Sequence, residues 1–167
     1  MNRLFGASLA VLVLPACHTA GPADKLAPNA PSDRTIVSKT TSDLEAQHAE
    51  LEPCVTTARA TWRQVKQRYL AGLPQGHVLS VTVRLHDARG KEEQAFLVVD
   101  RLRGTRIEGR IANEIQLVEG FKYGQHHEVD ELDIIDWTIS LPDGSEEGNL
   151  VGKHLETGTP CPTPPGS

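Results

Sequence analysis

The sequence predicts an α+β domain in which one long N-terminal helix packs on a curved antiparallel sheet of five to six short strands. Two observations carry this prediction. Apolar residues first recur every three or four positions, as on one face of a helix, and from His77 onward they alternate with polar residues, as on strands. The sheet has one face to cover and one helix to cover it, so a curved sheet wrapped on the helix is the simplest arrangement.

The helical region is expected to begin at Ser42, whose spacing to Glu45 is that of a capping box. A first turn or two reaches Leu51, where Pro53 interrupts, and a second helix starts at this proline because the first position of a helix tolerates it. Gly72 ends the second helix. Its apolar face consists of Val55, Ala58, Trp62, Val65 and Tyr69.

The strands follow as a meander whose turns are marked by glycine. Turn signals lie at residues 87–90, at Gly104 and at residues 142–144, and residues 113–124 form a looser connection. Alternation of apolar and polar residues, or a short apolar run between turns, predicts the strands themselves. The predicted strands are residues 77–86, 93–100, 107–111, 125–132, 133–141 and 150–155.

Length and charge limit the possible functions. The chain has 167 residues, enough for one ordinary domain with additional segments. It carries 17 Lys and Arg against 22 Asp and Glu, a formal net charge of −5. A general nucleic-acid-binding protein needs a basic face, so we predict no nucleic-acid partner.

The first residues indicate export. Arg3 precedes an uncharged apolar run at residues 4–14, about half the roughly 20 residues that span a membrane, which is typical of a signal peptide. Residues 14–17 (LPAC) resemble the lipobox of bacterial lipoproteins, which implies removal of residues 1–16 and a lipid on Cys17. His18 is not the aspartate of the inner-membrane retention signal, so the resemblance implies a lipid-anchored protein facing the periplasm, at the outer membrane of a Gram-negative cell. The alternative is an ordinary cleaved signal peptide with a free Cys17.

The remaining chain divides into a tether, a domain and a tail. Residues 17–41 contain the lipid attachment and a flexible, proline-containing tether, residues 42–157 form the domain, and residues 158–167 are a Pro-rich tail. A lipidated Cys17 leaves two cysteines with one possible pairing, and the periplasm permits a disulfide between Cys54 and Cys161. The alternative is two unrelated thiols.

Several short blocks lie in a fixed order over residues 55–155. They are residues 58–62 (ARATW), 93–96 (EQAF), 109–113 (GRIAN), Gly124, 134–137 (IIDW) and 148–152 (GNLVG). Together these blocks resemble the YegJ-like bacterial family, known as domain of unknown function 2314. The sequence departs from the family pattern at Glu114, where proline is common, and at Phe96, where tryptophan is common. The resemblance implies a fold and a bacterial origin, and it implies no reaction.

One polar cluster could bind a metal. On a strand, His126, Glu128 and Asp130 share a face, and imidazole with carboxylates suits zinc or another divalent ion. The alternative is a solvated edge strand whose charges discourage pairing with other chains. The Gly-x-Ser-x-Gly motif of serine hydrolases is absent from the sequence, and we predict no catalytic residue and no cofactor.

A second candidate site is the pair Asp136 and Trp137. The pair could form the rim of a ligand site, where Trp137 stacks on a ligand and Asp136 accepts a hydrogen bond; alternatively, Trp137 fills the core. Together these features predict a non-catalytic binding or scaffolding module, held at the membrane by the Cys17 lipid, whose partner is an envelope protein or a small ligand. The alternatives are a small metal-dependent hydrolase that uses the His126 cluster, and an immunity or inhibitor protein.

Overall fold

The computed structural model describes residues 41–164, which form one α+β unit. The predicted signal peptide, the lipidation site Cys17 and nearly all of the tether lie outside the described residues. The elements, in chain order, are helix α1 (Thr41–Ala71), strands β1 (Val78–His86), β2 (Glu92–Arg103), β3 (Arg106–Ile111) and β4 (His126–Asp130), the 3₁₀ turn η1 (Glu131–Asp133), strands β5 (Ile134–Ser140) and β6 (Glu146–Gly148), and helix α2 (Leu150–Thr157).

Helix α1 is a single helix of 31 residues that continues through Pro53. The predicted interruption at this proline is therefore wrong. A proline inside a helix costs about 3 kcal/mol because it removes a hydrogen bond and crowds the preceding turn. Leu51, Cys54 and Val55 lie on both sides of it and are at most 1% exposed, so their packing offsets that cost. The helix precedes the sheet, as predicted, but it lies towards the middle of the chain rather than at its N-terminus.

The sheet has six strands in the order β4-β3-β2-β1-β5-β6, and every neighbouring pair is antiparallel. It is open, with β4 and β6 at its edges. The predicted sixth strand at residues 150–155 is wrong, because this segment forms α2 and the sixth strand is Glu146–Gly148. The buried carboxylate of Asp136 explains the difference: it accepts the N–H of Val151 at 2.7 Å and so satisfies a donor in the first turn of α2.

A short connection shows that the sheet cannot be flat. Strands β4 and β5 stand four places apart in the sheet order, which in a flat sheet means roughly 19 Å. The connection from Asp130 to Ile134 spans four residues and reaches at most about 14 Å. The sheet must therefore bend around α1, and two side chains of the helix hold the connection. The indole N–H of Trp62 donates to Glu131 at 3.2 Å, and Arg59 Nε donates to the Ile134 carbonyl at 2.8 Å.

The main core lies between α1 and the inner face of the sheet. Ala58, Trp62 and Val65 of the predicted apolar face are buried there, and Tyr69 is partly buried against them. A smaller cluster joins the first half of α1 to β5 and α2; it contains Leu51, Cys54, Val55, Ile135 and Val151. The helical face predicted from sequence thus divides between two packing regions.

Candidate functional site

An open groove of about 410 Å³ lies between the second half of α1 and the turn η1. This volume falls within the range of small ligand pockets. Five of the six lining residues come from α1, where spacings of three and four place them on one side of the helix. The lining consists of Trp62, Arg63, Lys66, Gln67, Leu70 and Glu131.

The polar groups beneath the groove are already paired. Glu131 Oε2 accepts the Trp62 indole N–H at 3.2 Å and the Lys66 ammonium at 2.6 Å. Lys66 also donates to the Gly104 carbonyl at 2.6 Å. These contacts fix α1 to η1, so the groove has its shape before any partner arrives, and a preformed site loses little side-chain freedom on binding.

One exposed leucine lines the groove, and a second follows a lining residue on η1. Among the described residues, three large apolar side chains are exposed, and two of them are Leu70, at 62%, and Leu132, at 77%. Leu70 lines the groove and Leu132 follows Glu131 in η1. The backbone of η1 is held by a reciprocal capping box in which Asp130 accepts the Leu132 N–H at 3.0 Å. Leu132 is thus presented to solvent on a fixed turn.

The groove also has one available positive charge. The basic side chains Arg59, Lys66 and Arg68 of α1 are each held by a main-chain carbonyl or a carboxylate of the domain. Exposed Arg63, by contrast, forms no ion pair within residues 41–164. An incoming carboxylate would therefore find Arg63 free to pair with it.

The structure does not bring the predicted metal ligands together. His126, Glu128 and Asp130 do lie along one face of β4, but each has a different partner. His126 Nδ1 is 3.7 Å from Asp100, and Glu128 is 3.7 Å from Arg106. Asp130 caps η1, and the N–H of Leu132 is the main cause that lowers its pKa. Because β4 is an edge strand, this arrangement favours the alternative of a charged, solvated edge.

The predicted rim pair lies inside the domain. Asp136 is 0% exposed and Trp137 is 8% exposed. The Trp137 indole N–H donates to Thr61 Oγ1 at 3.0 Å, and its ring belongs to the main core. The carboxylate of Asp136 accepts the N–H groups of Trp137 and Val151, both at 2.7 Å. Trp137 therefore fills the core, which was the alternative prediction, and Asp136 binds backbone N–H groups inside the domain. Neither residue offers a surface to a ligand.

Glu93 is a buried carboxylate, 1% exposed on β2, to which the sequence analysis assigned no role beyond its place in the EQAF block. It accepts the backbone N–H groups of three consecutive residues, Gln116, Leu117 and Val118, at 2.6 to 3.2 Å. These bonds attach the connection between β3 and β4 to the sheet. The available signal was an acidic residue at an inward-facing position, two residues before the buried Ala95.

The structure contains the Cys54–Cys161 disulfide, with a Cα–Cα distance of 4.8 Å. This is the pairing that the cysteine count predicts. The Thr57 hydroxyl also donates to the Pro162 carbonyl. The part of the predicted tail that the structure describes, residues 158–164, is thus attached to α1.

No protein-family model matches the chain, and neither a curated protein nor a solved structure matches it. The resemblance to the YegJ-like family accordingly stays a prediction. Within residues 41–164, no helix is both long and apolar enough to cross a membrane.

Proposed function

We propose that this protein is a bacterial envelope lipoprotein of the YegJ-like family whose domain is a non-catalytic binding module. The observation that carries the binding role is the preformed groove between α1 and η1, which is lined by the exposed Leu70. The turn η1 also carries the exposed Leu132. The lipobox at Cys17 supports the attachment to the membrane and the location facing the periplasm, at the outer membrane of a Gram-negative cell.

The chemistry of the groove suggests its occupant. Leu70 and Leu132 favour an apolar side chain, and the free Arg63 favours a neighbouring carboxylate. The partner is therefore an envelope protein with an exposed segment in which an apolar residue stands beside Asp or Glu. Burying one such side chain contributes roughly 1.5–3 kcal/mol, and an exposed ion pair adds at most about 1 kcal/mol.

These energies predict a weak site in free solution. Attachment through Cys17 would compensate for this low affinity, because confinement at one membrane raises the effective concentration of two envelope proteins without any new contact. Weak, reversible binding fits a scaffold better than an inhibitor that must hold its target tightly. For this reason we favour scaffolding over the immunity alternative.

The lining of the groove supports a non-catalytic role. Its six residues include no serine, cysteine or histidine that could act as nucleophile or general base. Its carboxylate, Glu131, is paired with Lys66 at 2.6 Å. The groups that could take part in chemistry are thus used to hold the groove in shape.

Site-specific photo-crosslinking in intact cells tests the groove. A photoreactive residue in place of Gln67, in the groove, is compared with one in place of Lys91, in the exposed turn between β1 and β2. We expect a discrete protein adduct from Gln67 alone. The Leu70→Ser variant should lower its yield at least fivefold, since a mostly exposed leucine contributes about 1–2 kcal/mol on burial.

The matched control is Leu155→Ser, because Leu155 is the third exposed leucine and lies on α2, away from the groove. It should leave the adduct unchanged. Equal adducts from Gln67 and Lys91, or an equal effect of the two serine variants, would contradict binding in the groove.

Membrane fractionation tests the attachment separately. The Cys17→Ser variant should move to the periplasmic fraction, whereas the native chain stays with membranes. Continued association of the variant with membranes would show that the lipobox prediction is wrong, and it would leave the crosslinking result intact.

A further inference from the structure

A histidine stands beside the disulfide. One ligand atom each from Cys54, Cys161 and His154 lie within 4.8 Å of one another. Cys54 is fully buried, and the His154 side chain is 20% exposed. Cys54 lies on α1, His154 on α2 and Cys161 in the chain after α2. The cluster thus lies where the two ends of the domain meet. It is separate from the groove.

The ring of His154 is oriented by a main-chain carbonyl. Its Nδ1 is 2.9 Å from the Thr159 oxygen, which can only accept, so Nδ1 carries the proton. In the neutral ring, Nε2 then has a free lone pair. A histidine that donates one ring N–H to a carbonyl and offers the other nitrogen is the usual arrangement of a metal ligand.

The free nitrogen faces a carboxylate. Nε2 of His154 is 3.3 Å from Glu50 Oε1. The side chain of Glu50 is 64% exposed, and Glu50 is not one of the three residues whose ligand atoms lie within 4.8 Å of one another. Among the described residues, His154 is therefore the side chain that can complete a ligand set with the two cysteines.

We propose that, once the disulfide is reduced, the thiolates of Cys54 and Cys161 bind one zinc ion together with the imidazole of His154, and that water is the fourth ligand. A dithiol reductant supplies two electrons and two protons, becomes a disulfide itself, and leaves two thiols on the protein. Zinc then binds the sulfurs as thiolates, and their two protons pass to solvent. Two thiolates and an imidazole form a ligand set that suits zinc.

The metal would take over the role of the bond. In the oxidised chain the disulfide joins α1 to the tail, and in the reduced chain the zinc ion would join α1, α2 and the tail through the same residues. The module would thus keep its tail attached under both oxidising and reducing conditions.

The test uses the full chain with Cys17→Ser, so that Cys54 and Cys161 are its only thiols. The protein is reduced with a phosphine, the reductant is removed, and zinc chloride is added before native mass spectrometry. We expect one zinc per reduced chain and none per oxidised chain. Replacing zinc by cobalt should give the thiolate-to-cobalt absorption of a bound Cys pair.

Variants separate the ligands. His154→Ala should weaken zinc binding at least tenfold, whereas Glu50→Gln, which lies outside the cluster, should leave it nearly unchanged. The matched control is His126→Ala, which removes a histidine of the β4 cluster and should leave zinc binding unchanged.

Three outcomes would overturn the proposal. The first is a reduced chain that keeps its circular dichroism spectrum and binds no zinc. The second is a reduced chain that unfolds and is not refolded by zinc. The third is zinc affinity that is the same in His154→Ala as in the parent, which would show thiolate binding without the histidine.

Discussion

The Glu93→Gln substitution tests how the buried carboxylate organises the connection between β3 and β4. Glu93 Oε1 accepts the Gln116 N–H at 2.9 Å, and Oε2 accepts the N–H groups of Gln116 at 3.0 Å, Leu117 at 2.6 Å and Val118 at 3.2 Å. Glutamine keeps the shape of the side chain but replaces one of these oxygens by an NH₂ group. That group is a donor and would face donors.

The expected loss follows from these contacts. One hydrogen bond to a charged acceptor is lost even when the amide oxygen takes the position of Oε2, at about 1.5–3 kcal/mol, and the buried NH₂ group left without an acceptor costs about 1–3 kcal/mol more. The neutral amide avoids part of the cost of burying a charge, which reduces the net effect. We therefore expect the free energy of unfolding to fall by about 2–4 kcal/mol, a large part of the stability of an ordinary domain.

Urea unfolding measures this loss. Trp62 and Trp137 are both buried, so their fluorescence should report the transition. The control is Glu114→Gln, which makes the same chemical change at an exposed position of the same connection and should alter stability by less than about 0.5 kcal/mol. A loss below 1 kcal/mol for Glu93→Gln, or equal losses for both variants, would refute the role given to the carboxylate.

Three further predictions concern packing, pH and the disulfide. Gly148 has a φ of +74°, and a Cβ added there would clash with the carbonyl oxygen and the ring of Trp137. Gly148→Ala should therefore lower the free energy of unfolding by about 3 kcal/mol or more, as measured by thermal unfolding. An unchanged melting temperature would contradict this packing. Burial lowers the pKa of His127 below its ordinary value of 6.5, so the native state binds fewer protons than the unfolded state. The free energy of unfolding should therefore fall as the pH drops below 6.5, and His127→Phe should remove this pH dependence. An NMR titration midpoint of His127 at or above 6.5 would show that burial does not lower its pKa. Non-reducing peptide mapping should recover Cys54 linked to Cys161, and Cys161→Ser should cost up to about 4–5 kcal/mol because the bond closes a loop of 107 residues; free thiols at both positions would contradict the link.

The parts of the fold that follow from local pattern could be predicted from the sequence. The apolar face of α1 repeats every three or four residues, and β1 alternates, so each element has its own signal. The continuation of α1 through Pro53 could not be predicted in this way. It depends on the burial of Leu51 and Cys54 against β5 and α2, which come more than 80 residues later.

The state of residues 150–155 depends in the same way on a distant residue. A short stretch with Leu150, Val151 and Leu155 fits a strand or a helix equally well. The carboxylate of Asp136 decides between them, because it accepts the N–H of Val151 at the start of α2. That contact joins residues 15 positions apart in different elements, so no local pattern contains it.

The candidate site was the least predictable part. The sequence shows which residues share a face of β4, but not that His126, Glu128 and Asp130 turn to separate partners. The groove joins Trp62 and Glu131, which are 69 residues apart. Its local signal was weak and consisted of one leucine, Leu132, between acidic residues.

The most direct test of binding in the groove is a charge-reversal cycle on the partner that crosslinks through Gln67. Arg63→Glu should lower the adduct yield about threefold or more, since it removes an ion pair and adds repulsion. The acidic residue of the partner's crosslinked segment is then changed to arginine. This partner variant should restore the adduct yield when it meets Arg63→Glu, and it should give a lower yield when it meets the native chain. A yield that does not respond to Arg63→Glu, or a partner change that fails to restore it, would contradict the proposed role of the groove.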